Sequence, residues 1–390
     1  MDSAGFKALA VSRIDDQSQQ LRELSLKIHS NPELGFQEFK SAGWLADYLA
    51  NNGFSVECGV CELPTAFQAS YGQGAPAIAI LAEYDALPEL GHACGHNLIA
   101  TSAVGAGVAV KSAIDEYGGS LHVIGTPAEE YYGGKTIMAD KGAFDNLDIA
   151  MITHPGAADV ATIQTLACHT LDVEFFGQEC HAAAEPEKGI NALEALIQSY
   201  NAINSLRQHI KDKARIHGVI TDGGRAANVV PAHSAAQFIV RAEDYLYLAE
   251  LEEKVVNCFQ GAATATGARL EYQWAEFRYA AMRNNMSLAR LYRQNMQALG
   301  RRVKLSEPEL FLGSTDMGNV SQVVPSIHPF VAVVPRGTPG HSPDFALAAA
   351  SESGMQGLLD AAKAIAMTVV DLLASPETVT RVKEEFKQGK

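Results

Sequence analysis

The residues best suited to chemistry crowd into one short stretch. Residues 83–97 read EYDALPELGHACGHN: the carboxylates Glu83 and Asp85, then Cys94 and His96 flanked by Gly91 and Gly95. A thiolate and an imidazole two residues apart on a glycine-hinged loop can face one centre, and that pair suits zinc or another late first-row divalent ion. A buried thiol beside a histidine at a helix cap would give the same letters, and this segment alone does not separate the two. A Cys94 nucleophile with His96 as base is a third reading, but residues so close in sequence align poorly for proton transfer and no orienting group is evident. Further along, Glu129 and Glu130 close the apolar run SLHVIGTPAEE, and His154 closes LDIAMITHPG. Neighbouring carboxylates at a buried strand end call for a cation or a proton. One can bind a metal ion while the other accepts a proton from water. A solvated loop pair is the plain alternative. His154 alone reads as structural, and His341 in GHSP as a loop histidine.

The elements that must carry these residues alternate. APAIAILAEYD is an apolar run without helical period, hence a buried strand. A small-residue helix follows over 98–116, then SLHVIGTPAEE as a strand, a helix, and LDIAMITHPG as a third strand. Before them, residues 5–29 read as one amphipathic helix, and a second helix carries Phe39, Trp44, Leu45, Tyr48 and Leu49. Such alternation predicts an α/β fold: a mostly parallel sheet covered by helices on both faces. Ligands of these sheets bind beyond the carboxyl ends of the strands, where Asp85, Glu129, Glu130 and His154 fall. From about residue 169 the order changes to βαββαβ, the split unit of a ferredoxin-like sandwich. The α/β style resumes near residue 281 and ends in a long helix over 345–374 and a polar tail expected to fray. The expected division is 1–168 and 281–390 for a catalytic domain, with 169–280 inserted into it.

Composition narrows the partners. The chain has 390 residues, 47% apolar, with a formal charge of −15. So acidic a protein is a poor match for nucleic acid or an anionic membrane. The first residues lack the basic-then-apolar pattern of a signal peptide, and the apolar run at 99–110 is too short to span a bilayer. Six scattered cysteines suggest a reducing cytoplasm rather than a disulfide framework. Cys58 and Cys61 in CGVC have no second pair to complete a zinc knuckle.

Taken together, AEYDALPELGHACGHN, GTPAEE, THPG, FFGQECHAAAEPEKGINALEA, ANVVP, GSTDMGNVS and GTPGHSPDF fall in an order and spacing that resembles the zinc amidohydrolase and exopeptidase family of aminoacylases, hippurate hydrolases and carboxypeptidases. The wording is most similar to its aminobenzoyl-glutamate and β-alanyl-dipeptide hydrolase branch. The resemblance implies a two-metal exopeptidase fold and an inserted lid domain that often dimerises. It implies cleavage of the amide bond of small N-acyl amino acids or dipeptides. Carried over by position, Cys94, His96, Glu130, His154 and His341 are the expected metal ligands for two divalent ions. Zinc comes first, with manganese, cobalt or nickel also compatible. Glu129 is the expected general base and Asp85 the acid that organises the site. His181 is the expected donor to the scissile carbonyl oxygen, in its own site or a partner's. Asn228 and Arg241 are the expected substrate contacts. Without the resemblance, His181 reads as an exposed histidine at a turn and Arg241 as a salt-bridge residue. Glu83 stands where many relatives carry the histidine of an H-x-D motif and is not assigned as a ligand. Asn97 replaces the aspartate common after CGH in the hippurate-hydrolase branch, which weakens hippurate as a substrate. GSTDMGN lacks a Walker lysine and is a pocket-lining turn in the family. A metal-binding relative without activity and a thiol amidase using Cys94 are the rival classes. The expected enzyme is cytoplasmic and a homodimer through its inserted domain.

Overall fold

A computed structural model describes residues 1–311 and 313–388. It divides into two compact units. The first comprises residues 1–164 and 282–390 and the second Thr165–Ala281.

The main sheet of the first unit holds β1 (Ser55–Cys58), β2 (Phe67–Gln73), β3 (Ala77–Ala82), β4 (Gly119–Gly125), β5 (Ile149–Met151) and β13 (Ser326–Ile327), in the order β1-β2-β4-β3-β5-β13. β4, β3, β5 and β13 run parallel, and β2 and β1 complete one edge antiparallel. The run AIAILA explains why both faces are covered. Side chains alternate across a strand. Ile78, Ile80 and Ala82 enter a core shared with the helices His96–Ala109 and Glu352–Ala374, whereas Ala79 and Leu81 enter another with Met138, Phe144, Met317 and Val320. The expected α/β class, with a mostly parallel sheet between helical layers, is borne out.

Four details differ from the sequence reading. The first helix is two, Ser3–Asp16 and Ser18–His29. Asp15 and Asp16 fall on the last turn of the former, where the helix dipole disfavours acids. The run LDIAMITHPG is not one strand: β5 ends at Met151, and His154 opens β6 (His154–Gly156). β6 belongs to a second, four-stranded sheet, in the order β12-β7-β14-β6, with β7 (Val160–Gln164), β12 (Lys304–Phe311) and β14 (Phe330–Ala332). The partner segment changes sheet at the matching point, from β13 to β14, with Pro329, which lacks an N–H, in the gap between them; the Ile152 and His154 N–H groups still donate across to the Ile327 and Pro329 carbonyls. The helix expected over 345–374 is broken into Pro343–Ala348 and Glu352–Ala374. Of the polar tail, the described residues up to Gln388 belong to the helix Pro376–Gln388, in which Val379 and Val382 are buried.

In the second unit, β8 (Ala167–Phe176), β9 (Arg215–Asp222), β10 (His233–Ala242) and β11 (Arg269–Trp274) form an antiparallel sheet in the order β11-β8-β10-β9. The helices Ala192–Leu206 and Tyr245–Thr266 complete the βαββαβ order and pack on one core with Leu171, Phe175, Phe238 and Val240.

The last helix is tied to the first unit by a cap. Glu385 accepts from the N–H groups of Met286 and Ser287 and from the Ser287 hydroxyl, at the start of the helix Met286–Ala298. Glu385→Ala removes these acceptors. It is expected to cost about 1–2 kcal/mol, read as a lower urea midpoint with unchanged slope.

Candidate metal centre

Each candidate ligand is delivered by a different backbone device. β3 runs directly into Glu83 and Asp85. The loop after it is pinned by reciprocal hydrogen bonds between Leu87 and Gly91, and Gly95 then caps the helix His96–Ala109. Gly95 has φ +79, and a Cβ there would lie 2.6 Å from Pro155 Cγ, so only glycine lets this loop approach the start of β6. β4 leads through Ala128, in left-handed backbone at φ 59 and ψ 44, into the single turn Glu129–Tyr132. His154 opens β6. His341 also has a positive φ, and its N–H donates to the Ala93 carbonyl, 3.2 Å away.

These segments converge. The donor atoms of Cys94, His96 and His154 lie within 4.8 Å of one another, as do those of Cys94, Glu130 and His341, and those of His96, Glu129 and Glu130. Cys94 Sγ is 3.4 Å from His154 Nε2. Glu130 Oε1 is 3.4 Å from His341 Nε2 and 3.7 Å from His96 Nε2. Around a tetrahedral zinc ion, with bonds of about 2.0–2.3 Å, neighbouring donors stand roughly 3.4–3.6 Å apart. The spacing therefore fits ions, and Cys94 is common to two trios. His96 Nε2 and Glu130 Oε1 are buried and have no hydrogen-bond partner among the described residues, which is the state expected of atoms reserved for a cation.

The surroundings orient these donors. His96 Nδ1 lies 2.9 Å from the Asp85 carbonyl and 3.0 Å from Asp85 Oδ1, which turns Nε2 toward the centre. His154 Nδ1 lies 2.6 Å from the Pro155 carbonyl and does the same for that ring. Burial lowers the His154 pKa to about 4, so the imidazole is neutral and able to ligate at pH 7. Burial, and then Glu130, pushes the Cys94 thiol up. Burial together with Glu83, Glu130 and Asp316 holds the Glu129 carboxyl well above its ordinary range, while Lys135 opposes this. Asn97, whose replacement of aspartate stood out in the sequence, faces away from the donors. Its amide donates to Ser25 Oγ at 2.9 Å and to the Ala349 carbonyl at 3.0 Å, fastening helices together.

His181, Asn228 and Arg241 lie in the second unit. His181 and Val229 form a β-bridge, and the Ala182 N–H donates to the Asn228 carbonyl at 3.0 Å, so His181 and Asn228 are neighbours. His181 Nδ1 accepts from the N–H groups of Ala183 and Ala184, both at 3.2 Å. An acceptor Nδ1 leaves the proton on Nε2, which makes this exposed imidazole a hydrogen-bond donor. Arg241 is on β10, opposite Cys168 and Arg215.

Sequence reasoning missed a buried layer behind the donors. Lys135 Nζ lies 2.5 Å from Glu83 Oε2 and 2.8 Å from Asp316 Oδ1, and all three side chains are fully buried. Glu38, also buried, accepts from the Ala128 N–H at 2.8 Å. His328 is buried with both ring nitrogens unpartnered among the described residues, and its ring centroid lies 5.5 Å from that of His154. Nothing local in sequence marks these residues. Their partners are tens to hundreds of positions away.

Three overlapping donor trios, which share Cys94, His96 and Glu130 and bring Glu129 beside them, are the equipment of a metal-dependent amide hydrolase. A sequence model of Peptidase family M20/M25/M40 matches residues 79–364, and the chain belongs to that family. It is 37% identical to the Xaa-Arg dipeptidase of Mus musculus over 401 residues, covering 98% of this chain and 92% of that one. It is 38% identical to a p-aminobenzoyl-glutamate hydrolase subunit of Escherichia coli (strain K12) over 279 residues, 66% of this chain and 58% of that one. Among solved structures, a dinuclear metal-binding peptidase of Bacillus subtilis matches with a TM-score of 0.73 at 20% identity, covering 92% of this chain and 99% of that one. The aminobenzoyl-glutamate utilization protein of Klebsiella pneumoniae matches with the same TM-score of 0.73 at 18% identity, covering 92% and 97%. At such identities the structural likeness is one of fold.

Burial first, and then Asp85, raises the Glu38 pKa from an ordinary 4.5 to about 7. The folded state thus holds this proton more tightly than the unfolded chain does. The corresponding stability is complete below pH 4.5 and lost as pH rises through about 7. Glu38→Gln cannot ionise, so its urea-denaturation free energy relative to the unsubstituted protein is expected to climb by a few kcal/mol between about pH 4.5 and 8.

Proposed function

We propose that the chain is a two-metal dipeptidase or N-acyl amino acid hydrolase in which Glu129 is the proton-transferring base. The observation that carries this reading is the sharing of Cys94 between two donor trios, with His96 Nε2 and Glu130 Oε1 buried close together and without a hydrogen-bond partner among the described residues. Cys94, His96 and His154 would hold one ion, and Cys94, Glu130 and His341 the other. Zinc is our first choice, because the set mixes sulfur, nitrogen and oxygen donors. Bound there, such ions supply Lewis acidity to water and to the scissile carbonyl.

The chain's own groups do the rest. Glu129 has a high proton affinity, suited to taking a proton from the attacking water and returning it to the leaving amine. Asp85 fixes the His96 ring. His181, with its proton on Nε2, donates to the developing oxyanion. Asn228 and the forked guanidinium of Arg241 hold the substrate's polar ends. For this the second unit acts as a lid, and we assign it the dimer contact as well. Dipeptides are the first substrates to test, since the Xaa-Arg dipeptidase likeness spans nearly the whole chain. The net charge of −15 favours a cationic side chain over an acidic one. Six free cysteines support a reducing cytoplasm.

Glu129→Ala and Glu129→Gln are expected to lower kcat by about 100-fold or more while metal analysis still finds bound ions. Near-normal turnover in either variant would remove Glu129 from its role. The close Cys94–His154 pair keeps a thiol mechanism testable. The proposed enzyme loses activity to a chelator and regains it with added zinc, whereas a thiol amidase survives chelation and dies on alkylation.

A further inference from the structure

The turn that carries Glu129 and Glu130 is gripped from outside by three carboxylates. Glu38 Oε1 accepts from the Ala128 N–H at 2.8 Å, Asp85 Oδ2 from the Glu130 N–H at 3.0 Å, and Asp316 Oδ2 from the Lys135 N–H at 2.9 Å. The turn needs such help. It spans only Glu129–Tyr132, and it is entered and left through left-handed residues, Ala128 and Gly133. A single helical turn has no ladder of its own to hold it.

Asp316 does more than cap. It grips Lys135 twice, by the backbone N–H and, through Oδ1, by the ammonium at 2.8 Å, while that ammonium reaches Glu83 at 2.5 Å. The lock thus joins the end of β3, the segment after the Glu129 turn and the GSTD loop. It is fully buried. A buried ion triad is seldom the most stable filling for its volume, and apolar groups of similar size often do as well or better. Its value here lies in geometry. The packing leaves no slack either, since a Cβ on Gly134 would stand 1.8 Å from the Pro127 carbonyl oxygen.

We infer that Lys135 and Asp316 are positioning residues that fix the Glu129–Glu130 turn against the donor set, acting through the backbone of the segment and not by touching substrate. Neither residue was assigned from the sequence. The activity arm of the test rests on the reading of Glu129 above, and the exchange arm does not.

The test uses the full-length, zinc-loaded protein with Asp316→Asn, which is isosteric, and Lys135→Met. Hydrogen–deuterium exchange is followed over residues 128–135 and over the helix Glu352–Ala374 as an internal reference. Steady-state kinetics on a dipeptide that the unsubstituted protein cleaves, together with ions per chain, complete the set. The expected result is exchange about tenfold faster over residues 128–135 with the reference unchanged. In parallel kcat falls by about ten- to a hundredfold, with KM within about twofold and metal content unchanged. Unchanged exchange over residues 128–135 overturns the lock, as does faster exchange spread evenly over the unit or a kcat within about twofold of the original. If Lys135→Met does not fold, Asp316→Asn decides alone. Should the unsubstituted protein cleave no amide, the proposed function falls, and the exchange result still judges the lock.

Discussion

Everything at this centre follows from one electrostatic constraint: Glu83, Asp85, Glu129, Glu130 and Asp316 meet with Cys94 beyond the ends of parallel strands, largely out of water. Such a group cannot remain ionised without compensation. The protein divides the task by depth. At the back, the Lys135 ammonium bridges Glu83 and Asp316 and offsets one of their two charges. Asp85 spends its oxygens on the Glu130 N–H and the His96 ring. At the front, Glu130 leans on His341, and Glu129 has a raised proton affinity. The inner carboxylates serve the structure because their oxygens are taken up by Lys135, the Glu130 N–H and the His96 ring. The outer ones keep the proton and cation affinity that chemistry needs.

That division demands a scaffold that does not yield. Strand ends in a sheet buried on both faces supply it. β3 sends alternate side chains into two cores, so neither its register nor its twist can drift without disturbing both. The helix His96–Ala109 is buried along its whole length, which leaves His96 no freedom to follow a moving ligand. The open side is different. There the His341 side chain is about half exposed (52%) and sits on a loop.

The sequence made the donors legible because metal ligands are rare residue types in recognisable company. Cys94 and His96 sit among glycines, and the paired glutamates close an apolar strand. The sheet was legible because AIAILA and SLHVIG cannot be helical surfaces. The break between β5 and β6 was not legible. Hydrophobicity runs on through Ile152, and the change of sheet shows only in the partner segment, far away in sequence, which passes from β13 to β14 at the same point. Lys135 was hidden for the same reason. A lysine in GGKTIM reads as solvent-exposed, and only its partners Glu83 and Asp316, 52 and 181 positions away, turn it into a buried lock. His328 lay in a strand-like PSIHPF with nothing nearby to mark it. What sequence conveys is chemical type and local period. What it withholds is long-range pairing of charge.

The cysteine at the hub completes the electrostatic argument. With burial and Glu130 raising its pKa, Cys94 keeps its proton when no cation is near, so it is a poor nucleophile despite His154 at 3.4 Å. A divalent ion reverses the sign of the local field, and a coordinating thiol then gives up its proton. Under the proposed ligand set, cation binding through Cys94 would release that proton and would weaken as pH falls. The same surroundings that silence Cys94 as a thiol reagent leave its sulfur within reach of the donors of both trios it belongs to.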